Sequence, residues 1–263
     1  MNRFRLIGHY ENYGTENAYD KNSEVYAITD EFVCREEYKN IPKEKKVALM
    51  IEPRSFLPVG YEYLEKNYDE YKYVFTYDDK LLKELPNALP IVYGTYWCTS
   101  DSPKTKGISM VSSNKNFCEG HIKRLEIASI LDKTDKVDVM GTWNGGRYID
   151  AIEAVKDYKF SVAMENDLQD LFFTEKICNC FANKVVPIYY GARKIGDFFD
   201  KSGIIYIEDR DTIPEIIKNL DIDKEYAKRK KAIDKNYETV KQYRSFDDWF
   251  YKKYEKEIAG MFK

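Results

Sequence analysis

An apolar run over residues 160–164 stops on a carboxylate and an amide, Glu165 and Asn166, and a short polar stretch then leads to Thr174, Glu175 and Lys176. Thr174 is a good N-cap for a helix over 174–182, and Glu175 would sit in its first turn, where the helix dipole favours an anion. That helix end also offers unpaired backbone N–H groups to a phosphate, and Lys176 adds a cation one residue later. A carboxylate accepts hydrogen bonds from two vicinal hydroxyls, and an ammonium meets a diphosphate. The set could therefore hold both halves of a nucleotide. The same three residues could equally do no more than cap and solvate a surface helix.

The elements needed to position such a set are legible as alternating strands and helices. Residues 4–8, 25–29, 47–52, 73–76 and 91–93 read as strands, with helices over 61–71 and 78–85. Residues 99–107 are polar, hold Pro103 and Gly107, and read as a linker. A second alternation follows: strands at 108–112, 137–140, 160–164, 185–189 and 204–207, and helices at 121–131, 148–155 and 174–182. The 121–131 segment has apolar residues at 122, 125, 127, 128, 130 and 131, one face of a helix. From Asp211 the tail is charged and helical, with Pro214 in a first turn and Ser245–Asp248 resembling a capping box. Trp249, Phe250, Tyr254 and Ile258 give the last helix an apolar stripe, which needs a surface because so short a helix is marginal alone. The expected division is 1–100, 107–240, and a helix over 241–263 that packs back on the domains.

This alternation predicts an α/β fold with parallel sheets, and ligands of such sheets bind at the C-terminal ends of strands. A G-x-G-x-x-G loop and a Walker A sequence are both absent. The one Gly-rich loop, from Gly141 through Gly145 and Gly146 to Arg147, follows a strand and precedes a helix, where a backbone could approach a ligand; it could also be a plain turn.

Composition excludes other classes. Hydrophobic residues make up 43% and charged residues 33%, enough for a packed core. With 42 basic and 45 acidic side chains there is no global basic field, and nonspecific nucleic-acid binding is not expected. The 23 tyrosines suit cleft walls, though an AT-rich genome would also favour them. Of the five cysteines, only Cys178 and Cys180 lie close, and on a helix they would point about 200° apart, so free thiols are expected. The two histidines, His9 and His121, are distant, and no metal site is expected. Residues 1–10 hold no apolar run of signal length, and no stretch reaches membrane-spanning length. The expectation is a soluble cytoplasmic protein or one peripheral to a membrane.

Three separated pieces carry a resemblance. The order Y-K-F-x-x-x-x-E-N at 158–166, T-E-K at 174–176 and V-P-I-Y-x-G at 186–191 resembles the donor-binding signature of the α-1,3-fucosyltransferase family, glycosyltransferase family 10. Ser112, Ser113 and Asn114 followed by Arg124, and the V-D-V-x-G strand ending at Gly141, resemble the family's upstream segments. The likeness runs over roughly 107–209, with only Ile51-Glu52-Pro53 and the 73–93 stretch matching upstream. It implies a GT-B architecture, two Rossmann-like domains facing a central cleft, and inverting transfer of fucose from GDP-fucose to a glycan hydroxyl without a cofactor. Carried over by position, Glu175 would hold the ribose, Lys176 and Arg124 the diphosphate, and Thr174 the helix end. Asn166 would line the donor pocket, and Glu52 would be the base. Phe172 stands where the family has a Tyr, and the loop over 167–171 is poorer in Gly and Tyr than usual. Both departures bear on which donor is taken. A GT-B transferase with another nucleotide-sugar donor and a catalytically silent sugar-nucleotide binder are the alternatives.

Overall fold

The computed structural model describes residues 3–9 and 19–263. Among these the chain forms two compact units. One comprises the described residues up to Tyr93 with Gln169–Leu171 and Ser245–Lys263; the other comprises Gly94–Leu168 and Phe172–Arg244.

The first unit is a parallel sheet of β1 (Arg5–Ile7), β2 (Tyr26–Thr29), β3 (Lys46–Leu49), β4 (Val74–Thr76) and β5 (Ala88–Pro90), paired in chain order. Helix α1 (Pro58–Asn67) links β3 to β4, and α2 (Asp79–Glu84) links β4 to β5. Right-handed crossovers that always step the same way leave their connections on one face of the sheet. Strand side chains alternate between faces. Ile7, Ile28, Ala48 and Val74 accordingly pack with Tyr61 and Leu64 of α1 and Leu81 of α2. The residues between them need another cover, and the C-terminal helices supply it. Phe75 lies 4.8 Å from the rings of both Phe250 and Tyr254, and Phe4 stacks on Tyr251 at 6.0 Å. This is the surface the apolar tail stripe required. The tail itself is less regular than one long helix, because the helical path breaks at Tyr254.

The second unit pairs β6 (Lys106–Val111), β7 (Val137–Met140), β8 (Tyr158–Met164), β9 (Val186–Tyr190) and β10 (Ile205–Tyr206) in the order β10-β9-β8-β6-β7, all parallel. Successive connections leave β6 and β8 in opposite directions, so the gap beyond their C-terminal ends is the topological switch point. Its helices are α3 (Glu119–Leu131), α4 (Ala151–Val155), α5 (Glu175–Ala182), α6 (Ile213–Asn219) and α7 (Ile222–Val240).

Some expected elements shift, and the 61–71 helix runs Pro58–Asn67 instead. Residues 91–93 leave the sheet after Pro90, and only the Ile91 N–H still bonds Thr76 O, at 2.9 Å. The 148–155 helix begins at Ala151, where Asp150 and Glu153 form a capping box. The helix expected from Asp211 divides into α6 and α7, with Pro214 in the first turn of α6. The 47–52 strand ends at Leu49, because the N–H groups of Ile51 and Glu52 turn from the sheet to the Asp30 carboxylate, at 2.8 and 3.0 Å. All five cysteines are free.

Candidate functional site

Helix α5 starts where its sequence directs. The Thr174 hydroxyl accepts the Lys176 N–H, Ile177, Cys178 and Phe181 turn into the core, and Lys184 closes the C-terminus in a left-handed conformation (φ +54). The start of α5 is bound to the end of β8 through Glu165, whose side chain is wholly buried. One Glu165 oxygen accepts the Thr174 N–H at 2.9 Å, and the other accepts the Lys176 ammonium at 2.9 Å. The Thr174 hydroxyl donates to the same carboxylate at 2.9–3.0 Å. Burial raises the Glu165 pKa, while Lys176 and Thr174 stabilise its charged form. Burial alone would lower Lys176, but Glu165 and then Glu175 more than reverse it, so the ammonium stays charged. Two glycines permit this approach. A Cβ on Gly191 would come within 2.7 Å of Glu165 Cγ, and one on Gly120 within 2.1 Å of the Asn166 carbonyl oxygen.

Arg124 projects from α3 and is 8% exposed. One terminal nitrogen donates to Asn166 Oδ1 at 2.7 Å, and its Nε meets no acceptor among the described residues. Burial lowers its pKa, opposed by Glu165, yet a guanidinium remains charged. Nearby His121 is held down to about 4, by burial first and then by the charges of Arg124, Lys115 and Lys176.

Arg124 and Lys176 open on a cavity of about 270 Å³ in the second unit, at the switch point. Arg124, Glu175 and Lys176 line it, with Ser113 and Val111 from the end of β6 and Met164 from the end of β8. Lys176 Nζ spends donors on Glu165 and Thr174 (3.1 Å) and lies 3.7 Å from Glu175, and its side chain keeps 25% exposure. The cavity thus presents two fixed cations beside a partly exposed carboxylate. That set can take a diphosphate and a pair of hydroxyls together.

Three of the sequence-derived donor residues therefore converge, and three do not line this wall. Thr174 is 6% exposed and engaged with Glu165. Asn166 orients Arg124. Phe172 is 2% exposed, within the core, which is consistent with an apolar ring at a position without a hydroxyl. Glu52 belongs to the first unit. Its N–H bonds Asp30 and its carbonyl accepts the Tyr61 hydroxyl at 2.6 Å, leaving the side chain partly exposed. The residue given no role from sequence was Glu165, the partner of Lys176; a carboxylate closing an apolar strand, with a lysine at the next helix start, was its signal. Among the described residues no three His, Cys, Asp or Glu side chains group as a metal site, and no helix is long and apolar enough to cross a membrane.

Two parallel α/β sheets with this cavity are the GT-B class of glycosyltransferase folds. An α1,3-fucosyltransferase crystallised with GDP-fucose superposes with a TM-score of 0.58 at 14% identity, covering 97% of this chain and 89% of that one. The crystal structure of TarM gives 0.59 at 11% identity over 91% of this chain and 55% of that one. The family model described as glycosyltransferase family 10 (fucosyltransferase), C-terminal part, matches residues 101–257, more than half of the chain. The chain belongs to glycosyltransferase family 10. A fucosyltransferase-like protein of Arabidopsis thaliana is 28% identical over 153 residues, which are 55% of this chain and 29% of that protein. A protein of Acanthamoeba polyphaga mimivirus described as a fucosyltransferase is 37% identical over 81 residues, 30% of this chain and 14% of its own length. The chain thus matches less than a third of the length of either curated relative.

Proposed function

We propose that this chain transfers fucose from GDP-fucose to a hydroxyl of a glycan acceptor with inversion, the second unit (residues 107–240 in its main part) holding the donor and the first (1–100) serving the acceptor. The observation that carries this reading is the convergence of Arg124, Lys176 and Glu175 on one cavity at the end of β8. The ribose hydroxyls would bond Glu175. The two cations would oppose charge building on the departing GDP, which lowers the barrier because they are already oriented in a partly dry site. The acceptor hydroxyl attacks the anomeric carbon as the diphosphate leaves, through an oxocarbenium-like state.

Binding of GDP or GDP-fucose only to the folded chain should raise its melting temperature. The stabilisation is about 2.7 kcal/mol at a hundredfold excess over Kd. Thermal-shift measurements with GDP-, UDP- and CMP-sugars check it; a response to the uridine or cytidine series alone would assign another donor.

The base in this reading is Glu52, whose backbone is fixed from both sides by Asp30 and Tyr61. Glu52→Gln should bind GDP-fucose unchanged and lose transfer by about 100-fold or more. A fully active Glu52→Gln chain would move the role to another carboxylate of the first unit.

A further inference from the structure

The donor cavity has an aromatic rim that no motif accounts for. Trp97 is 64% exposed and Tyr148 is 74% exposed, and both line the cavity that holds Arg124, Glu175 and Lys176. Exposed apolar side chains scattered singly are ordinary, but two large rings gathered on one cavity are the kind of patch that marks a ligand groove. Neither stands on a loose segment. The Trp97 N–H donates to Asn179 Oδ1 at 2.8 Å, and Asn179, itself 6% exposed, sits on α5 less than one turn from Lys176. Asn183, one turn further and 1% exposed, donates to the carbonyls of Cys98 and Asn179 at 2.9 and 2.8 Å. The backbone beside Trp97 is thus fastened to the helix that carries the phosphate-binding cation. Across the sheet, the Gly-rich loop turns at Gly141 (φ +107) and Gly145 (φ +86), backbone angles that favour glycine. Arg147 then donates to the Tyr148 carbonyl at 3.0 Å and pairs with Glu153, which forms the α4 capping box with Asp150. Both rings are wet, and both are anchored at the main chain.

We infer that Trp97 and Tyr148 form the nucleobase subsite, stacking the flat face of the purine while Arg124 and Lys176 take the diphosphate. This rests on the reading of the cavity as a nucleotide-sugar site. A purine has the large π-surface that an aromatic rim covers, and stacking on such rings makes a substantial part of base affinity. The rim also gives the Gly141–Arg147 loop its purpose, which is to deliver Tyr148 to the cavity.

The test uses calorimetric titration of the full chain with GDP and, separately, with inorganic pyrophosphate. Because both rings are exposed, their replacement leaves the core intact. Trp97→Ala and Tyr148→Ala should each weaken GDP by about 10-fold or more and leave pyrophosphate unchanged, while Trp97→Phe keeps GDP binding. Arg124→Ala should weaken both ligands. If GDP binds the unaltered chain but neither alanine variant changes it, or both change GDP and pyrophosphate alike, the stacking subsite is overturned and the donor reading stands. If GDP does not bind the unaltered chain at all, the donor reading falls and the subsite falls with it.

Discussion

Lys176→Met should cost the chain stability as well as turnover, and Glu165→Gln in the same chain should return the stability without the turnover. Read from sequence, Lys176 is a free cation whose loss would spare the fold. The structure gives it a wholly buried partner 2.9 Å away. Removing one member of such a pair leaves an uncompensated charge inside the protein, typically a loss of 3–5 kcal/mol. In Lys176→Met, Glu165 keeps its two hydrogen bonds from Thr174 but must either hold its charge unpaired or take up a proton. Glu165→Gln removes that charge while its amide oxygen can still accept the Thr174 N–H, so the double variant should recover most of the deficit. On the proposed role of Lys176, the catalytic contribution should not return, because the ammonium assigned to the diphosphate is still missing. That loss should be on the order of 2–4 kcal/mol in barrier. Chemical denaturation of the unaltered chain and the two variants, with GDP release measured alongside, separates the two effects. Equal stability of Lys176→Met and the unaltered chain would show that the pair does not hold α5 to β8, and recovery of turnover in the double variant would deny Lys176 its role on the leaving group.

The reach of the sequence here is set by distance along the chain. Thr174 as a cap and the amphipathic α5 follow from residues within one turn of each other, and both stand as read. The Glu165–Lys176 pair joins a strand end to a helix start across a loop, so residue type alone could place both but not join them. Arg124 comes from α3, two strands earlier, and its meeting with Asn166 depends on β6 lying next to β8. That adjacency is a matter of strand order, which no local pattern encodes; both units have parallel strands, yet one is ordered in sequence and the other reverses at β6 and β8. Trp97 is a further case. It falls between the strand expected at 91–93 and the linker at 99–107, where no periodicity marks it, and the bond to Asn179 of α5 is what holds this stretch at the cavity wall. The end of β3 was misjudged for a related reason: residues 47–52 are an unbroken apolar run up to Glu52, and what ends the strand early is a carboxylate from another element, Asp30.

That carboxylate should make the first unit less stable as pH rises toward neutrality, and Asp30→Asn should abolish the effect. Asp30 is 0% exposed and adopts φ +49, a left-handed conformation open to few residues but to Asp and Asn among them. One carboxyl oxygen accepts the N–H groups of Ile51 and Glu52, and the other meets no partner among the described residues. Burial pushes its pKa up to about 7 from 3.8; the two N–H bonds oppose the rise, and the charges of Glu52 and Glu31 add to it. Between these values the folded chain holds a proton that the unfolded chain has released. Stability from this group is therefore full below the unfolded value and is lost as pH rises through the folded one. A displacement of that size corresponds to about 4 kcal/mol at 1.36 kcal/mol per pH unit. Asn at position 30 keeps the acceptor for both N–H groups, suits the left-handed backbone and never ionises. It is nearly isosteric with the protonated acid, so the two chains should match near pH 4 and diverge until Asp30→Asn is the more stable by several kcal/mol at pH 8. Other carboxylates titrate alike in both and cancel in the difference. Trp249 is the single tryptophan of the first unit, and with Trp97 and Trp143 replaced by Phe its fluorescence in urea follows that unit alone. A stability difference that stays constant from pH 4 to 8 would mean that Asp30 ionises as an ordinary carboxylate. A difference that grows as expected would show that the peptide beneath Glu52 is held by a group that exchanges its proton near neutral pH.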